Sequence, residues 1–146
     1  MKKILLLSAF FILLFNNMVS TPIQADQEKQ TENIEKSASD KGITFKVNSY
    51  EKKDGKLTIH YTVTSDHIVL RENQIGNPFM EKPWFYINNK RLNVWFDFNQ
   101  TKVNNHKFTG YVSISLDDIK SEHHNFTFKI DSIAGQGGNW KVNFNI

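Results

Sequence analysis

The sequence predicts an all-β protein, an antiparallel immunoglobulin-like β-sandwich of about seven strands. Three observations predict it. Apolar and polar residues alternate with a period of two over much of the chain after Gly42, turn-forming residues separate these runs, and no run has a convincing helical period. Short strands joined by turns at this spacing are typical of two antiparallel sheets packed face to face.

The first predicted hairpin follows Gly42 directly. Apolar residues alternate with polar ones in "GITFKVNSY" and again in "KLTIHYTVT", and Asp54-Gly55 lies between the two runs. The Asp-Gly sequence accepts the positive φ angles that tight hairpin turns require. We therefore expect one buried face, made of Ile43, Phe45, Val47, Leu57, Ile59, Tyr61 and Val63.

A second hairpin is predicted in "WFYINNKRLNVWFDF". It folds at Asn88-Asn89, because asparagine tolerates left-handed dihedral angles. The preceding residues, 65–83, have no clean period and predict a long connection. Further strands are expected at residues 107–115, 125–130 and 140–146.

The stretch "SIAGQGGNW" has three glycines within four residues, as phosphate-binding loops do. Such loops follow a strand and open a helix, whose first N–H groups face the anion. Here a strand-like run, "WKVNFNI", comes next. We therefore interpret Gly135-Gln136-Gly137-Gly138 as a tight turn and Trp140 as a core residue, on the same face as Val142, Phe144 and Ile146.

Residues 1–25 predict a secretory signal peptide. Lys2 and Lys3 precede an apolar run over residues 4–15, and small residues precede a cleavage point after Ala25. The run is shorter than the roughly 20 apolar residues of a membrane span. An uncleaved signal anchor is the alternative interpretation.

The rest of the chain divides into two parts. Residues 26–41 are polar and of mixed charge, which predicts a flexible spacer, and residues 42–146 are enough for one sandwich domain. Removal of the leader takes the 18 basic residues to 16 against 15 acidic ones, a net charge of +1. A nucleic-acid partner is therefore not expected. The absence of cysteine excludes disulfides and suits export from a bacterium.

The order of these elements resembles a family. "GITFKVNSYEKKDGKLTIHYTV", then "FYINNKRL", then "FTFKIDSIAGQGGNWKVNFNI" is similar to an uncharacterised immunoglobulin-like domain of extracytoplasmic Gram-positive bacterial proteins, the type found in the outer part of anti-sigma-factor-like proteins. The resemblance covers roughly residues 42–146. It implies the fold, a location outside the membrane and a role without catalysis.

No catalytic residue, metal site or cofactor is predicted, so we do not expect an enzyme. Ser65-Asp66-His67 contains the residue types of a catalytic triad but in consecutive positions, whereas triads assemble from separate elements. Asp117-Asp118 falls in an apparent turn. The histidines lack the spacing of zinc ligands and are interpreted as mainly solvated loop residues: His60, His67, His106, His123 and His124.

The second hairpin carries the one candidate binding site. With a two-residue turn, one face collects a core stripe of Phe85, Ile87, Leu92, Val94, Phe96 and Phe98. The other face interleaves aromatic and polar residues, a composition typical of binding hot spots. The hypothetical ligand-binding residues are Trp84, Tyr86, Arg91, Asn93 and Trp95. The alternative is that the long connection covers these rings and that Arg91 stacks on Tyr86.

These observations predict a monomeric, secreted or extracytoplasmic protein associated with the cell envelope. Its expected role is non-catalytic binding through protein or cell-wall contacts, with membrane contact only through an uncleaved signal segment. The alternative is a secreted effector or immunity-type protein that docks on an envelope target.

Overall fold

The computed structural model describes residues 30–67, 70, 80–81, 83–116 and 124–146, and every regular element among them is a strand. Two antiparallel sheets have the strand orders β1-β2-β3-β7-β6 and β5-β4-β8-β9. The described part of the chain has no helix suited to crossing a membrane. The strands are β1 (Gln30–Asp40), β2 (Ile43–Lys53), β3 (Lys56–Ser65), β4 (Trp84–Ile87), β5 (Lys90–Arg91), β6 (Phe96–Asn104), β7 (Lys107–Ser115), β8 (Asn125–Ile133) and β9 (Gln136–Asn145).

The connectivity matches an immunoglobulin-type sandwich. β2, β3, β7 and β6 occupy the places of the A, B, E and D strands, and β4, β8 and β9 those of C, F and G. β5 is an additional short strand beside β4, and β1 extends the first sheet. The predicted antiparallel sandwich is confirmed, with nine described strands where about seven were expected.

The first strand corrects the predicted flexible spacer over residues 26–41. Residues 30–40 form β1, which pairs with β2 along its length. Ile34 and Ala38 are its partly buried apolar residues. Hydrogen bonds to a neighbouring strand hold this edge strand, and such bonds leave little trace in a hydrophobic pattern. The predicted signal peptide and residues 26–29 lie outside the described residues.

The core lies between the two sheets, where rings from both meet. Phe45 of β2 is 4.9 Å from Phe128 of β8 between ring centroids, and Phe85 of β4 is 5.6 Å from Phe96 of β6. The predicted buried face of the first hairpin is confirmed, since each of its apolar side chains is fully buried: Ile43, Phe45, Val47, Leu57, Ile59, Tyr61 and Val63.

Two-residue turns with positive φ angles join four of the hairpins. Their backbone twist matches that of the strands, which is why asparagine, aspartate and glycine dominate them. The predicted turns at Asp54-Gly55 and Asn88-Asn89 are confirmed. The four turns are Lys41-Gly42, Asp54-Gly55, Asn88-Asn89 and Ala134-Gly135.

The second hairpin is shorter than predicted. The expected pairing of Tyr86 with Arg91 is confirmed. The chain then leaves this sheet, and Phe96 begins β6 in the opposite sheet, beside β7. Apolar and polar residues keep alternating through residues 92–95, where the chain crosses between the sheets. The period of two therefore does not show where the crossing lies. The predicted core stripe is therefore wrong at its end, where Phe98 is 45% exposed.

The remaining elements follow the predictions in part. The strand expected at residues 107–115 has these bounds, and the last two strands are longer than expected. Most of the connection predicted for residues 65–83 lies outside the described residues, as does Asp117-Asp118. Met80, within that connection, forms an isolated bridge with Ile133 at the end of β8.

Candidate ligand-binding face

The tip of the β4–β5 hairpin is attached to the start of β8. The backbone N–H of Asn88 donates to the carbonyl of Asn125 at 2.9 Å, and the Asn88 Oδ1 atom accepts from the Asn125 N–H at 3.1 Å. Asn88 Nδ2 lies 3.3 Å from Nδ1 of His124. These contacts hold the hairpin rigidly on the four-stranded sheet.

The two faces of β4 differ in burial. Phe85 and Ile87 are buried in the core, whereas Trp84 and Tyr86 are half-buried on the outer side of the sheet. Arg91 of β5 reaches over Trp84, with its guanidinium carbon 3.7 Å from the ring centroid. The alternative that Arg91 stacks on Tyr86 is therefore wrong. Tyr86 lies directly opposite Arg91, whereas the long arginine side chain reaches the diagonal neighbour, Trp84, whose ring is larger.

The indole ring of Trp84 is also fixed from the other side. Its Nε1–H donates to Oδ2 of Asp131 at 2.7 Å, and the second oxygen of Asp131 lies 2.6 Å from the ammonium of Lys129. The hydrogen bond from Lys129, with a further one from Trp84, lowers the pKa of Asp131; the same carboxylate raises the pKa of Lys129. Four side chains from three strands thus form a continuous set of polar and ring contacts.

The structure separates the five residues that the sequence grouped. Trp84, Tyr86 and Arg91 lie on one outer face, as expected. Asn93 and Trp95 belong to the segment that crosses between the sheets, and both are exposed. Trp95 is 96% exposed. The crossing ends the β5 pairing before these two residues, so they do not continue the predicted face.

Two charged residues of the face were not among the predicted site residues. Lys129 and Asp131 lie on β8, next to Trp84 through the pairing of Trp84 with Lys129. A signal was present, because Thr127, Lys129 and Asp131 alternate with buried apolar residues in "FTFKID" and so had to point outward. The pairing of β4 with β8 is what brings them to Trp84, and nothing in the local sequence specifies it.

The glycine-rich stretch is structural. The turn lies at Ala134-Gly135, one residue earlier than expected, and Gln136 already begins β9. Trp140 is fully buried, as predicted, and its Nε1–H donates to the Ile43 carbonyl at 2.9 Å. The stretch therefore forms a hairpin turn followed directly by strand β9, without the helix that a phosphate-binding loop opens.

The described histidines are dispersed, and one prediction about them is wrong. His124 is buried beside Asn88, not solvated, because its backbone pairs in both directions with Ile146 and draws the ring against the hairpin tip. Asp66 and His67 are exposed, while Ser65 is buried at the end of β3. Within the described residues, no three His, Asp or Glu side chains come close enough to hold a metal ion.

Two concave regions lie on the five-stranded sheet. A cavity of about 170 Å³ opens at the β6 edge, lined mainly by apolar groups of Met80, Pro83, Phe96, Phe98 and Val112. A shallow depression of about 290 Å³ lies on the outer face, lined by both polar and apolar groups of residues that include Asn48, His60, Asn99, Thr109 and Tyr111. Neither contains a residue of the predicted site.

Comparisons with known proteins inform the fold. The sequence matches no protein-family model and no curated protein. Among solved structures it is similar to a crystal structure of a conserved domain protein from Bacillus anthracis, with a TM-score of 0.61 and 19% sequence identity. The similarity covers 94% of this chain and 48% of the Bacillus anthracis chain. The present chain therefore spans about half the length of that protein. At this identity the likeness establishes a shared fold.

Proposed function

We propose that this chain is an exported, non-catalytic binding domain that acts at the cell envelope through protein or cell-wall contacts. The observation that carries the proposal is the Arg91 guanidinium stacked on Trp84 at the outer face of the four-stranded sheet. Arginine and tryptophan are the residues most enriched where binding energy concentrates. Here the strand framework holds both, so little entropy is lost when a ligand binds.

The exposed side chain of Trp95 also supports the proposal. Trp95 is 96% exposed, so its large ring is open to a partner that packs or stacks on it. Trp95 lies four residues after Arg91 in the chain, beyond the end of β5. We propose that Trp95 and Asn93 make a separate contact with the same partner, outside this face.

Fractionation of producing cells tests the proposed location. We expect a chain beginning at Asp26 that is retained in the envelope fraction, with the amino-terminal residue determined by mass spectrometry. An intact Met1 in the membrane fraction would support the signal-anchor alternative instead. Complete release into the medium would favour the secreted effector or immunity-type protein.

The same fractionation tests the binding face. Arg91→Ala should move a substantial part of the protein from the envelope fraction to the medium. Lys90→Ala is the matched control, because it removes the same charge from the neighbouring residue, which pairs with the buried Ile87 on the other side of the strand. Equal retention of both variants would exclude this face as the binding site.

A further inference from the structure

We infer that the outer face of the four-stranded sheet binds an anionic cell-wall polymer whose charges are phosphate groups. This inference rests on the proposed function and names the ligand class for the same face. Its basis is the charge of the face, the alignment of its cations across the strands and the exposed donor groups of Arg91.

The four strands of this sheet are strongly unequal in charge. β4, β5, β8 and β9 contain four basic residues, Lys90, Arg91, Lys129 and Lys141, and one acidic residue, Asp131. That carboxylate is already paired with Lys129. Among the described residues, neither Arg91 nor Lys141 forms an ion pair. Lys90, which pairs with the buried Ile87, lies on the other side of the sheet. The outer face therefore carries Arg91, Lys129 and Lys141 against Asp131 alone, and this excess of positive charge attracts an anionic partner.

The cations form a line across the sheet. Trp84 of β4 pairs with Lys129 of β8, and Lys129 pairs with Lys141 of β9. Neighbouring strands lie about 4.8 Å apart, so this line spans roughly 10 Å. The guanidinium of Arg91 lies over Trp84 at one end of the line. A second polar row, in which the Thr127 hydroxyl donates to Asn143 Oδ1 at 2.7 Å, runs beside it. A linear polymer that crosses the strands meets each cation in turn.

Arg91 is prepared for a phosphate. The guanidinium of Arg91 stacks on the Trp84 ring through its flat face. The N–H donors of the guanidinium point outward in its plane and take no part in the stacking. Among the described residues, no acceptor forms a hydrogen bond with these N–H donors of Arg91. A guanidinium in this arrangement can donate two parallel hydrogen bonds to a phosphate group, a stronger contact than a single lysine provides.

The composition of the face favours a polymer over a folded protein. A stable protein interface has an apolar centre within about 800 Å² per partner. Here the outward positions between Trp84 and Lys141 are polar, and the apolar surface is confined to the half-buried rings of β4. A narrow polyanion needs contacts with cations and with one aromatic platform, and this face provides both.

Co-sedimentation of the full exported chain with purified bacterial cell walls tests the inference. One sample of walls is left intact, and another is treated with hydrofluoric acid, which removes phosphodiester-linked polymers. We expect binding to intact walls, at least about tenfold weaker binding after treatment, and a marked weakening between 50 mM and 500 mM salt because salt screens exposed charges.

Three variants and one control assign the binding to this face. Arg91→Ala and Lys141→Ala should each weaken binding to intact walls about three- to tenfold, and Arg91→Lys should recover part of the loss because it restores the charge without the planar donor array. Lys90→Ala should bind as the unchanged protein does. Equal loss in Lys90→Ala would indicate a general charge effect and overturn the assignment.

The outcomes separate the inference from the proposed function. Equal binding to treated and intact walls would overturn the phosphate-polymer ligand and leave the envelope-binding role intact. Failure to bind either sample would count against the cell-wall form of the proposed function itself. Equal affinity for polyglutamate, a polyanion whose charges are carboxylates, would show that charge density alone is recognised, which would also overturn the inference.

Discussion

Gly138 and Trp140 occupy adjoining space, and a side chain at the glycine would collide with the indole ring. A Cβ atom added to Gly138 would lie 2.5 Å from Cη2 of Trp140 and 2.8 Å from a carboxylate oxygen of Asp40. That oxygen accepts the N–H of Asn139 at 2.8 Å. The Trp140 Nε1–H in turn bonds to the Ile43 carbonyl. Gly138 thus lies where β1, β2 and β9 meet, and its lack of a side chain permits that packing.

Gly138→Ala should lower the free energy of unfolding by about 2–3 kcal/mol, because overpacking a filled region costs this much when the neighbouring ring cannot move. Urea denaturation of the variant measures the loss. Gly137→Ala is the matched control, since nothing lies within 4 Å of its added Cβ atom. The control should change stability by less than about 1 kcal/mol. Equal losses in both variants would contradict the packing role of Gly138.

Trp84 and Trp95 should differ in their contribution to stability. Trp95→Ala removes an exposed ring and should change the free energy of unfolding by no more than about 0.5 kcal/mol. Trp84→Ala removes the ring under Arg91 and the hydrogen bond to Asp131, so we expect a loss of about 1–2 kcal/mol. Thermal unfolding of the two variants measures the difference. A larger loss for Trp95→Ala would show that the segment 92–95 is packed, not exposed.

The protein should lose stability in alkaline solution. Burial raises the pKa of Tyr61 above its ordinary value near 10, and the neighbouring Gln100 opposes the shift. Below pH 10 the phenol is protonated in both folded and unfolded chains, so stability is fully present. Above pH 10 the unfolded chain loses the proton first, and the free energy of unfolding falls by about 1.4 kcal/mol per pH unit for each such group.

Tyr61→Phe tests this dependence. The variant should show a shallower decline between pH 10 and pH 12 in urea denaturation, while the two stability curves run parallel between pH 6 and pH 9. Part of the decline should remain, because burial and the bond to Glu32 also raise the pKa of Tyr50. An unchanged slope above pH 10 would contradict the burial of the Tyr61 hydroxyl.

β1 should be part of the folding unit. A chain beginning at Gly42 lacks β1 and exposes the edge of β2, so we expect a loss on the order of 2–4 kcal/mol and a tendency to self-associate. A chain beginning at Gln30 is the control and should match the longer protein. Thermal unfolding and size-exclusion chromatography measure both effects. Equal melting temperatures for the two chains would reinstate residues 30–41 as a spacer.

Much of the fold could be predicted because one face of each central strand is buried. Alternation located β2, β3 and β7 closely, since buried residues recur largely at every second position, apart from a bulge after Val47 in β2. The turns at Asp54-Gly55 and Asn88-Asn89 could be placed because few residues accept positive φ angles. Where the local sequence has a single stable conformation, the pattern and the structure agree.

The wrong predictions concern segments whose position depends on pairing with a strand distant in the sequence. β1 is mostly polar, with Ile34 and Ala38 as its partly buried apolar residues, and it pairs with β2. The crossing at residues 92–95 continues the alternation while the chain changes sheets, so Phe96 and Phe98 entered a different environment from the one expected. A period of two reports which side of a strand is apolar, but it does not report which strand lies beside it.

The sequence by itself determined the strand pattern, the two-residue turns with positive φ angles and the burial of Trp140. It also determined the outward direction of Trp84, Tyr86 and Arg91. These features depend on residue chemistry and on the period of a strand. The tertiary structure alone decided that Arg91 stacks on Trp84, that Asp131 and Lys129 complete the face, and that Trp95 lies apart from it. The reason is physical: side-chain direction is local, whereas contacts between strands arise only when two sheets close over a common core.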